Sequence, residues 1–368
     1  MGEFHGIGVV GLGVIAERYL STLAGVDGVR IVAAADLVRS RAEAVAERFD
    51  GCRALTLEEL VADPAVDTVL NLTVPSAHAD VALAALRHGK HVYGEKPLAA
   101  TVEQGRQILA AADAAWVGAA PDTVLGTGIQ TARAAVDDGV IGRPLSATAT
   151  WVAPGHEAWH PNPDFYYLDG GGPLYDMGPY YLTTLVHLLG PIVAVRGAAA
   201  RPRDTRRIAS GPREGELIPV EVATHVTGIL EHEGGALSTV VFSFDAAATG
   251  AAPIEVHGET GTLSVPDPNR FDGEVRLRRP GEPGWTTLPV AGGYDDAERG
   301  VGLVDFLRGG GRAGGDLALH VLEAMEVLLE SAASGERTEL RTTATIPPRV
   351  PLTSRAEWAA SLLGSSVA

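Results

Sequence analysis

A glycine-rich turn near the N-terminus has the spacing of a loop that binds dinucleotide phosphates. The motif follows an apolar run at residues 7–10 and reads Gly11-Leu12-Gly13-Val14-Ile15-Ala16. In this Gly-x-Gly-x-x-Ala pattern the first glycine admits a tight turn, the second lets backbone approach a pyrophosphate, and the small last residue lets helix and strand pack closely. Free N–H groups at the start of the following helix also attract phosphate. We therefore expect these six residues to hold a dinucleotide cofactor.

One acidic residue beyond this turn bears on which dinucleotide is bound. Asp36 ends a second apolar run, residues 30–35. A carboxylate there accepts hydrogen bonds from ribose hydroxyls and repels a 2′-phosphate, so Asp36 favours NAD. Arg39 and Arg41 follow closely and could instead hold that phosphate, so NADP stays open, although both arginines also fit an exposed helix start.

The elements that position these residues alternate between strand and helix. Three helix starts, at Ser40, Thr56 and Thr101, place a hydroxyl three residues before Glu or Gln, the spacing of a capping box. Because strands and helices alternate, we expect an α/β Rossmann domain with a doubly wound parallel sheet over residues 1–122. The apolar runs typical of its buried strands lie at residues 7–10, 30–35, 67–73, 91–93 and 116–118.

The remainder, residues 123–368, predicts a different architecture with substrate-binding and oligomerisation roles. Its strand-like runs need no helices between them, so we expect an α+β domain with a large, mainly antiparallel sheet. Residues 204–216 are expected to form a mobile surface loop. The predicted strands lie at residues 146–152, 221–230, 236–244, 254–257, 261–265 and 274–277, and the helices at 180–189, 301–308 and 317–334.

Composition narrows the class of protein. The 368 residues carry 29 Lys and Arg against 46 Asp and Glu, a formal charge of −17. That charge repels phosphate backbones and anionic lipid, so we expect no nucleic-acid or membrane partner. A single cysteine, Cys52, excludes an internal disulfide, and the N-terminus shows no targeting signal, so we expect a cytoplasmic protein.

Three further motifs carry a resemblance to a known family. They read Thr73-Val74-Pro75-Ser76-Ala77-His78, then Gly89-Lys90-His91-Val92-Tyr93-Gly94-Glu95-Lys96-Pro97, then Gly170-Gly171-Gly172-Pro173-Leu174-Tyr175-Asp176-Met177-Gly178-Pro179-Tyr180. With the opening glycine motif, they resemble the glucose–fructose oxidoreductase/inositol dehydrogenase family, written Gfo/Idh/MocA. The resemblance implies a Rossmann domain and a second domain whose sheet face helps form a homodimer or homotetramer. It also implies NAD(P)-dependent oxidation or reduction of a sugar or cyclitol carbon.

The resemblance assigns roles to several residues of these motifs. Thr73, Pro75 and His78 match the segment that passes the cofactor near its nicotinamide, and Glu95 and Lys96 match the block that carries the active-site lysine. Hydride transfer from a carbinol needs a proton acceptor and positive charge near the oxygen. Lys96 lies just after a predicted strand, at the sheet edge where ligands bind, so we expect it to hold the reacting oxygen. The alternative for Lys96 is an ordinary ion pair with Glu95.

One position departs from the family pattern. Family members commonly carry Asp-x-Gly-x-His, with the histidine as acid or base, whereas this chain has Tyr180 at that position. Asp176 stays four residues before it, on the same helix face. We expect Lys96 and Tyr180 to act as a catalytic pair, with Asp176 orienting them or the sugar hydroxyls. Tyr181 is the rival phenol, and a core position is the alternative for Tyr180.

Aromatic and polar side chains are interleaved in residues 154–167. This composition suits sugars, which stack on aromatic faces and form hydrogen bonds through their hydroxyls. Trp159 and His160 are the substrate candidates in this run. His156 and Glu157 match no familiar metal-ligand spacing, so we expect no metal site. Three histidines in apolar settings are expected to be structural: His187, His257 and His320.

The sequence therefore predicts an NAD(P)-dependent sugar or cyclitol dehydrogenase or reductase. Two alternatives remain open. One is a redox-neutral enzyme that retains NAD and, through a keto-sugar, epimerises its substrate or cleaves a glycosidic bond. The other is a non-catalytic protein that senses a nucleotide or a sugar.

Overall fold

The computed structural model describes residues 4–160 and 162–360. Within this part the chain forms two compact units. Of the described residues, the first unit comprises 4–126, 293–319 and 350–360, and the second comprises 127–160, 162–292 and 320–349. The chain therefore returns to its first unit twice after leaving it.

The first unit contains the predicted parallel sheet. Its strands are β1 (His5–Val10), β2 (Val29–Ala35), β3 (Arg53–Ala54), β4 (Thr68–Asn71), β5 (His91–Gly94) and β6 (Val117–Ala119). The helices between them are α1 (Ala16–Ala24), α2 (Arg39–Arg48), α3 (Leu57–Ala62), α4 (Pro75–Arg87) and α5 (Val102–Ala110). The strands pair in parallel in the order β3-β2-β1-β4-β5-β6. This order confirms the doubly wound Rossmann fold, in which ligands bind beyond the carboxyl ends of β1 and β4, where the order reverses.

Local side-chain chemistry sets where these helices begin. At α3 the predicted capping box is confirmed, since Thr56 Oγ1 accepts the Glu59 N–H at 3.2 Å and the Glu59 carboxylate accepts the Thr56 N–H at 2.8 Å. The predicted box at Ser40 is wrong, because α2 begins at Arg39 and its N-cap is Val38, two residues before Ser40. The reason is that the Asp36 carboxylate accepts the Val38 N–H at 2.8 Å and forms the turn itself.

The second unit is built on a large sheet. Up to residue 292 its elements are α6 (Thr127–Asp137), β7 (Pro144–Val152), α7 (Pro173–Leu189), β8 (Ile192–Ala200), β9 (Thr205–Arg207), β10 (Leu217–Pro219), β11 (His225–His232), β12 (Leu237–Ser243), β13 (Ile254–Gly258), β14 (Thr262–Val265), β15 (Arg276–Arg278) and β16 (Thr286–Thr287). After residue 292 the described part of the chain forms α8 (Val301–Leu307), α9 (Gly315–Ser334), β17 (Thr338–Glu339) and α10 (Arg355–Trp358).

The large sheet has nine strands in the order β16-β15-β14-β13-β7-β12-β11-β8-β17. The β7 and β12 strands pair in parallel, and the other neighbours pair antiparallel, so the predicted mainly antiparallel α+β domain is confirmed. Helix α9 packs against one face, where Gly197 and Gly228 leave room for Leu328. None of the helices described here is long and apolar enough to cross a bilayer.

Two expectations about this unit are wrong, and one of its strands was not predicted. Residues 204–216 are not simply a surface loop, because β9 pairs with β10 and places the Arg206 side chain in the interior. Helix α7 begins at Pro173 rather than residue 180 and continues through Pro179, since proline is tolerated where neighbouring packing holds the helix. Strand β8 was not predicted, because its alanine-rich sequence has little strand propensity; its pairing with β11 and β17 holds it.

Helix α7 contains a buried histidine whose protonation is linked to the stability of the fold. Both ring nitrogens of His187 are buried without a partner among the described residues, and burial lowers the pKa of His187 to about 3. Its folded pKa lies below the unfolded value, so the unfolded chain gains a proton first as the pH falls below 6.5. We expect protonation of His187 in the unfolded chain to lower the free energy of unfolding by about 2 kcal/mol between pH 7 and pH 5.

Urea unfolding of His187→Leu at both pH values tests this expectation. The variant should lose less stability on acidification than the wild type, whereas His88→Gln, at an exposed helix end, should behave as the wild type does. Equal pH dependence in His187→Leu and the wild type would contradict the assignment.

Candidate active site

The first glycine of the N-terminal motif is required by the backbone. Gly11 has φ +89°, and a Cβ there would lie 2.7 Å from backbone atoms of Leu72 and Thr73. Its N–H donates to the Ala35 carbonyl at 2.9 Å, so the turn is tied to the end of β2. No residue with a side chain fits this position without displacing the end of β4.

The second glycine faces open space. A Cβ on Gly13 would meet nothing within 4 Å, and neighbouring Val14 is 97% exposed. Behind them Ala16 is buried at the first position of α1, where a small side chain lets the helix approach the sheet. The arrangement leaves an unfilled cradle beside the helix N-terminus, which fits the pyrophosphate of a dinucleotide.

Asp36 is held in place by the same loop. Its Oδ2 accepts the Leu12 N–H and its Oδ1 accepts the Val38 N–H, both at 2.8 Å. The side chain is 9% exposed, with Arg41 Nη1 at 3.7 Å from Oδ1. Because each carboxylate oxygen has two lone pairs, acceptor capacity remains for ribose hydroxyls.

Apolar side chains are exposed where several strands of this sheet end. Each of these side chains follows the carboxyl end of β1, β2 or β4: Val14, Leu37, Val38 and Val74. Of the four, only Val14 was predicted from the sequence as a site residue. Exposed apolar surface at one sheet edge is typical of a ligand site, since a bound ring system would cover it. Their position directly after predicted strands was the signal that could have identified them.

The segment after β4 is connected to the lysine block by His78. This side chain is 2% exposed, with Nδ1 at 2.7 Å from the Pro97 carbonyl oxygen and Nε2 at 3.0 Å from that of Thr73. Burial lowers the pKa of His78. The Thr73 hydroxyl donates to Asn71 Oδ1 at 2.6 Å. A neutral imidazole carries one N–H, so His78 donates to the Pro97 or the Thr73 carbonyl and lies against the other, and it does not present its ring nitrogens to a ligand.

Glu95 positions the backbone of Lys96. Its carboxylate accepts the Tyr19 hydroxyl at 2.7 Å and the Lys96 N–H at 3.0 Å. Burial and the charge of Glu95 raise the pKa of Tyr19 well above its usual value, so the phenol stays a donor. Lys96 is half-buried, lies two residues beyond β5, and precedes Pro97 through a cis peptide bond.

In the second unit, the start of α7 presents Asp176 to a histidine that the sequence did not identify as functional. His156 Nε2 lies 2.7 Å from Asp176 Oδ2, and the two side chains are 10% and 16% exposed. Just before this helix, Gly171 leaves no room for a side chain, because a Cβ there would lie 2.5 Å from the Phe165 carbonyl oxygen. The two partners are separated in sequence by a loop, so no spacing rule indicated the contact.

The two tyrosines of α7 differ in environment. Tyr180 follows Asp176 by one helical turn and is 6% exposed. Tyr181 is buried in the core, where its ring packs edge-on against Phe242 of β12. Burial raises the pKa of Tyr181 well above its usual range, which disfavours this rival phenol as an acid or base.

The aromatic run forms a cluster around two short 3-10 turns, His156–Ala158 and Asp164–Tyr166. Trp159 is 61% exposed, and its ring lies 5.3 Å from that of His160. Burial lowers the pKa of His160. Pro161, within the predicted run, lies outside the described residues. In residues 4–160 and 162–360, no group of His, Cys, Asp or Glu side chains is arranged to hold a metal ion.

The structure groups the predicted residues by unit. The dinucleotide motif, Asp36, Thr73, Pro75, His78, Glu95 and Lys96 belong to the first unit. Asp176, Tyr180, Trp159 and His160 belong to the second. The pairing of Lys96 with Tyr180 stays a prediction.

Two family models match the chain. Residues 5–118 match an oxidoreductase family with an NAD-binding Rossmann fold, GFO_IDH_MocA, and residues 129–264 match a GFO/IDH/MocA C-terminal domain. Among solved structures, an NAD-binding oxidoreductase from Klebsiella pneumoniae has a TM-score of 0.79 at 24% identity, covering 91% of this chain and 99% of that one. Levoglucosan dehydrogenase in complex with NADH and L-sorbose has a TM-score of 0.77 at 20% identity, covering 93% of this chain and 100% of that one.

Relatives of known activity also match in sequence. A 1,5-anhydro-D-fructose reductase of Ensifer adhaerens is 29% identical over 352 residues, covering 91% of this chain and 98% of that protein. An inositol 2-dehydrogenase of Salmonella typhimurium is 37% identical over 107 residues, covering 28% of this chain and 32% of that protein.

Proposed function

We propose a function for this chain from the premise that it belongs to the GFO/IDH/MocA family of NAD-binding oxidoreductases. The reaction proposed is hydride transfer between a nicotinamide cofactor and a hydroxyl or ketone carbon of a sugar, sugar derivative or cyclitol. The observation that carries it is the open cradle at Gly13, in the same unit as a half-buried lysine at the carboxyl edge of the parallel sheet. The relatives named as sugar and inositol oxidoreductases support the substrate class.

Residues of the first unit would hold the cofactor. Backbone of residues 11–16 would bind the pyrophosphate, and Asp36 would accept hydrogen bonds from the ribose hydroxyls. Thr73 and Pro75 would border the nicotinamide end, with His78 and Glu95 supporting the backbone around them. When bound, the nicotinamide supplies the chemistry of accepting or returning a hydride.

Three side chains would manage the substrate oxygen and its proton. The Lys96 ammonium stabilises negative charge on the reacting oxygen. In oxidation the Tyr180 phenolate takes the substrate hydroxyl proton, and in reduction the Tyr180 phenol returns it to the substrate oxygen. The Asp176 carboxylate accepts hydrogen bonds from substrate hydroxyls, while Trp159 and His160 offer an aromatic face and a polar edge to the sugar.

A coupled absorbance screen of sugars and polyols with NAD and NADP tests the proposal. The expected result is substrate-dependent formation or consumption of NADH. Retention of NAD without net NADH production would identify a redox-neutral enzyme instead. Tight cofactor binding without turnover of any compound would identify a binding protein.

Replacement of Asp36 by alanine tests the cofactor preference. We expect Asp36→Ala to weaken NAD binding by about 30-fold and NADP binding far less, since the variant loses a ribose acceptor but also a repulsive charge. Titration calorimetry with both cofactors measures this. Arg48→Ala is the control, because Arg48 lies at the opposite end of α2 and pairs with Glu17 at 2.7 Å. Equal weakening of both cofactors would mean that the carboxylate only supports the loop.

Replacement of Tyr180 by phenylalanine tests the proton-transfer role. We expect Tyr180→Phe to lower kcat by about 10- to 100-fold and to change the pH profile of kcat, because the ring stays and the hydroxyl is lost. The matched change Tyr181→Phe, in the core, should leave the kinetic profile as in the wild type. A wild-type pH profile in Tyr180→Phe would remove Tyr180 from the mechanism.

The organisation of the molecule completes the proposal. Cofactor binding is assigned to residues 1–122, and substrate binding and oligomerisation to the part of residues 123–368 that forms the second unit, in a cytoplasmic protein. The large sheet exposes apolar side chains on β11 and β12, including Ile229 and Leu237. We propose that a second copy of the chain covers this face, which a molar mass from light scattering tests.

A further inference from the structure

We propose that His156 is a positioning residue for the reaction: it donates a hydrogen bond to Asp176 and holds that carboxylate in its working orientation. The inference rests on the proposed function, because it assumes that Asp176 meets the substrate. It assigns a role to a histidine for which neither spacing nor the family motifs provide one.

The contact itself identifies which ring nitrogen carries the hydrogen. His156 Nε2 faces Asp176 Oδ2 at 2.7 Å, and an ionised carboxylate only accepts, so Nε2 is the donor. Nδ1 is buried with no partner among the described residues. The Nε2–H hydrogen bond orients the Asp176 carboxylate and leaves it acceptor capacity for substrate hydroxyls.

A buried ionic network holds the backbone of His156. The His156 N–H donates to the Tyr167 hydroxyl at 3.1 Å, and that hydroxyl donates to the Glu157 carboxylate. Arg206, 1% exposed, pairs with Glu157 at 2.7 Å and also with Asp245. Its guanidinium further donates to two backbone carbonyls, which ties β9 to the loop.

Burying such an ionic network has a desolvation cost. The contacts of the network fix the start of the 3-10 turn that carries His156. The ring is also enclosed by aromatic neighbours. Its centroid lies 4.2 Å from that of Tyr166, 4.8 Å from Phe244 and 6.1 Å from Trp151. Within this enclosure, Nε2 faces Asp176 of α7. Such preorganisation is what a positioning residue requires, since small errors in the orientation of a carboxylate are costly to the rate.

Two substitutions separate the hydrogen bond from packing. His156→Phe keeps an aromatic ring among Tyr166 and Phe244 but removes the donor, whereas His156→Gln keeps an N–H near the position of Nε2. Steady-state kinetics on the best substrate of the screen, NAD binding and thermal unfolding are measured for both. The matched control is His257→Gln, a half-buried histidine of β13 whose Nδ1 contacts Thr262 Oγ1 at 3.2 Å.

We expect His156→Phe to lower kcat by about 30-fold, with KM and the Kd for NAD within about threefold of the wild type. His156→Gln should recover most of that loss, and His257→Gln should match the wild type. In the wild type, ¹⁵N chemical shifts of labelled histidine should show His156 protonated at Nε2, and Asp176→Asn should change that signal.

Other results would overturn the inference. Wild-type kcat in His156→Phe, or equal loss in the Phe and Gln variants, would mean that the ring only packs. Protonation of the wild-type ring at Nδ1 would contradict the pairing directly. If the wild-type protein turns over no sugar or polyol, the proposed function fails first, and the role of His156 in that reaction fails with it.

Discussion

Lys96→Ala is expected to lower kcat by about 1000-fold, because the variant loses the ammonium that stabilises charge on the substrate oxygen. The Kd for NAD should stay within about threefold of the wild type, since the dinucleotide loop and Asp36 are untouched. The Lys96 N–H donates to the Glu95 carboxylate, and the variant keeps this contact, so the loop should keep its course. Single-turnover kinetics with saturating NAD measure the chemical step, and calorimetry measures cofactor binding.

The chain offers a close control, because Lys90 and Lys96 are its two lysines. The Lys90 ammonium donates to the backbone carbonyls of Asp63 and Val66, at 2.9 and 2.7 Å. Lys90→Ala should therefore lower the unfolding temperature and leave kcat near that of the wild type. If Lys96→Ala retains wild-type kcat, or if it loses activity only by losing NAD, Lys96 is not the group that acts on the substrate.

The second large effect is expected at Gly13. A methyl group there meets no protein atom within 4 Å, so Gly13→Ala should fold with nearly wild-type stability. The same methyl group would enter the space proposed for the pyrophosphate. We therefore expect the Kd for NAD to rise by about 100-fold, or about 3 kcal/mol of binding free energy. Calorimetric titration and thermal unfolding of the same preparation measure the two quantities together.

Gly11→Ala is the matched variant two residues away. Its methyl group would lie 2.7 Å from backbone at the end of β4, and the residue would keep φ +89°. We expect this variant to lose stability, because the strained conformation and the steric contact both act on the folded protein. Wild-type NAD affinity in Gly13→Ala would contradict the position proposed for the cofactor.

The parallel sheet and its cofactor motif could be predicted because their signals are local. Residues 7–16 contain a buried strand, a turn and a helix start in one short segment, and Asp36 follows within the same strand–helix–strand unit. Hydrophobic period and turn chemistry act over such distances. The capping box at Thr56 was predicted for the same reason. The box at Ser40 was not formed, because Asp36 provides a competing hydrogen bond at the start of that helix.

Elements that depend on distant partners could not be predicted in this way. Strand β8 gains its strand conformation from β11 and β17, and α7 continues through Pro179 within a packed core. Arg206 lies in a segment rich in arginine, glycine and proline, whose composition indicates an exposed loop. Its burial depends on Glu157 and Asp245, which come from other parts of the chain.

Amino-acid order alone established the family, the two kinds of sheet and the dinucleotide motif, because each depends on residues close together along the chain. The pairing of His156 with Asp176 was decided only in three dimensions. A loop, an ionic network and a helix start must all be in place before those two side chains come within hydrogen-bonding distance. Hydrogen bonds and ion pairs between distant segments depend on the full set of packing contacts, which no short window of sequence contains.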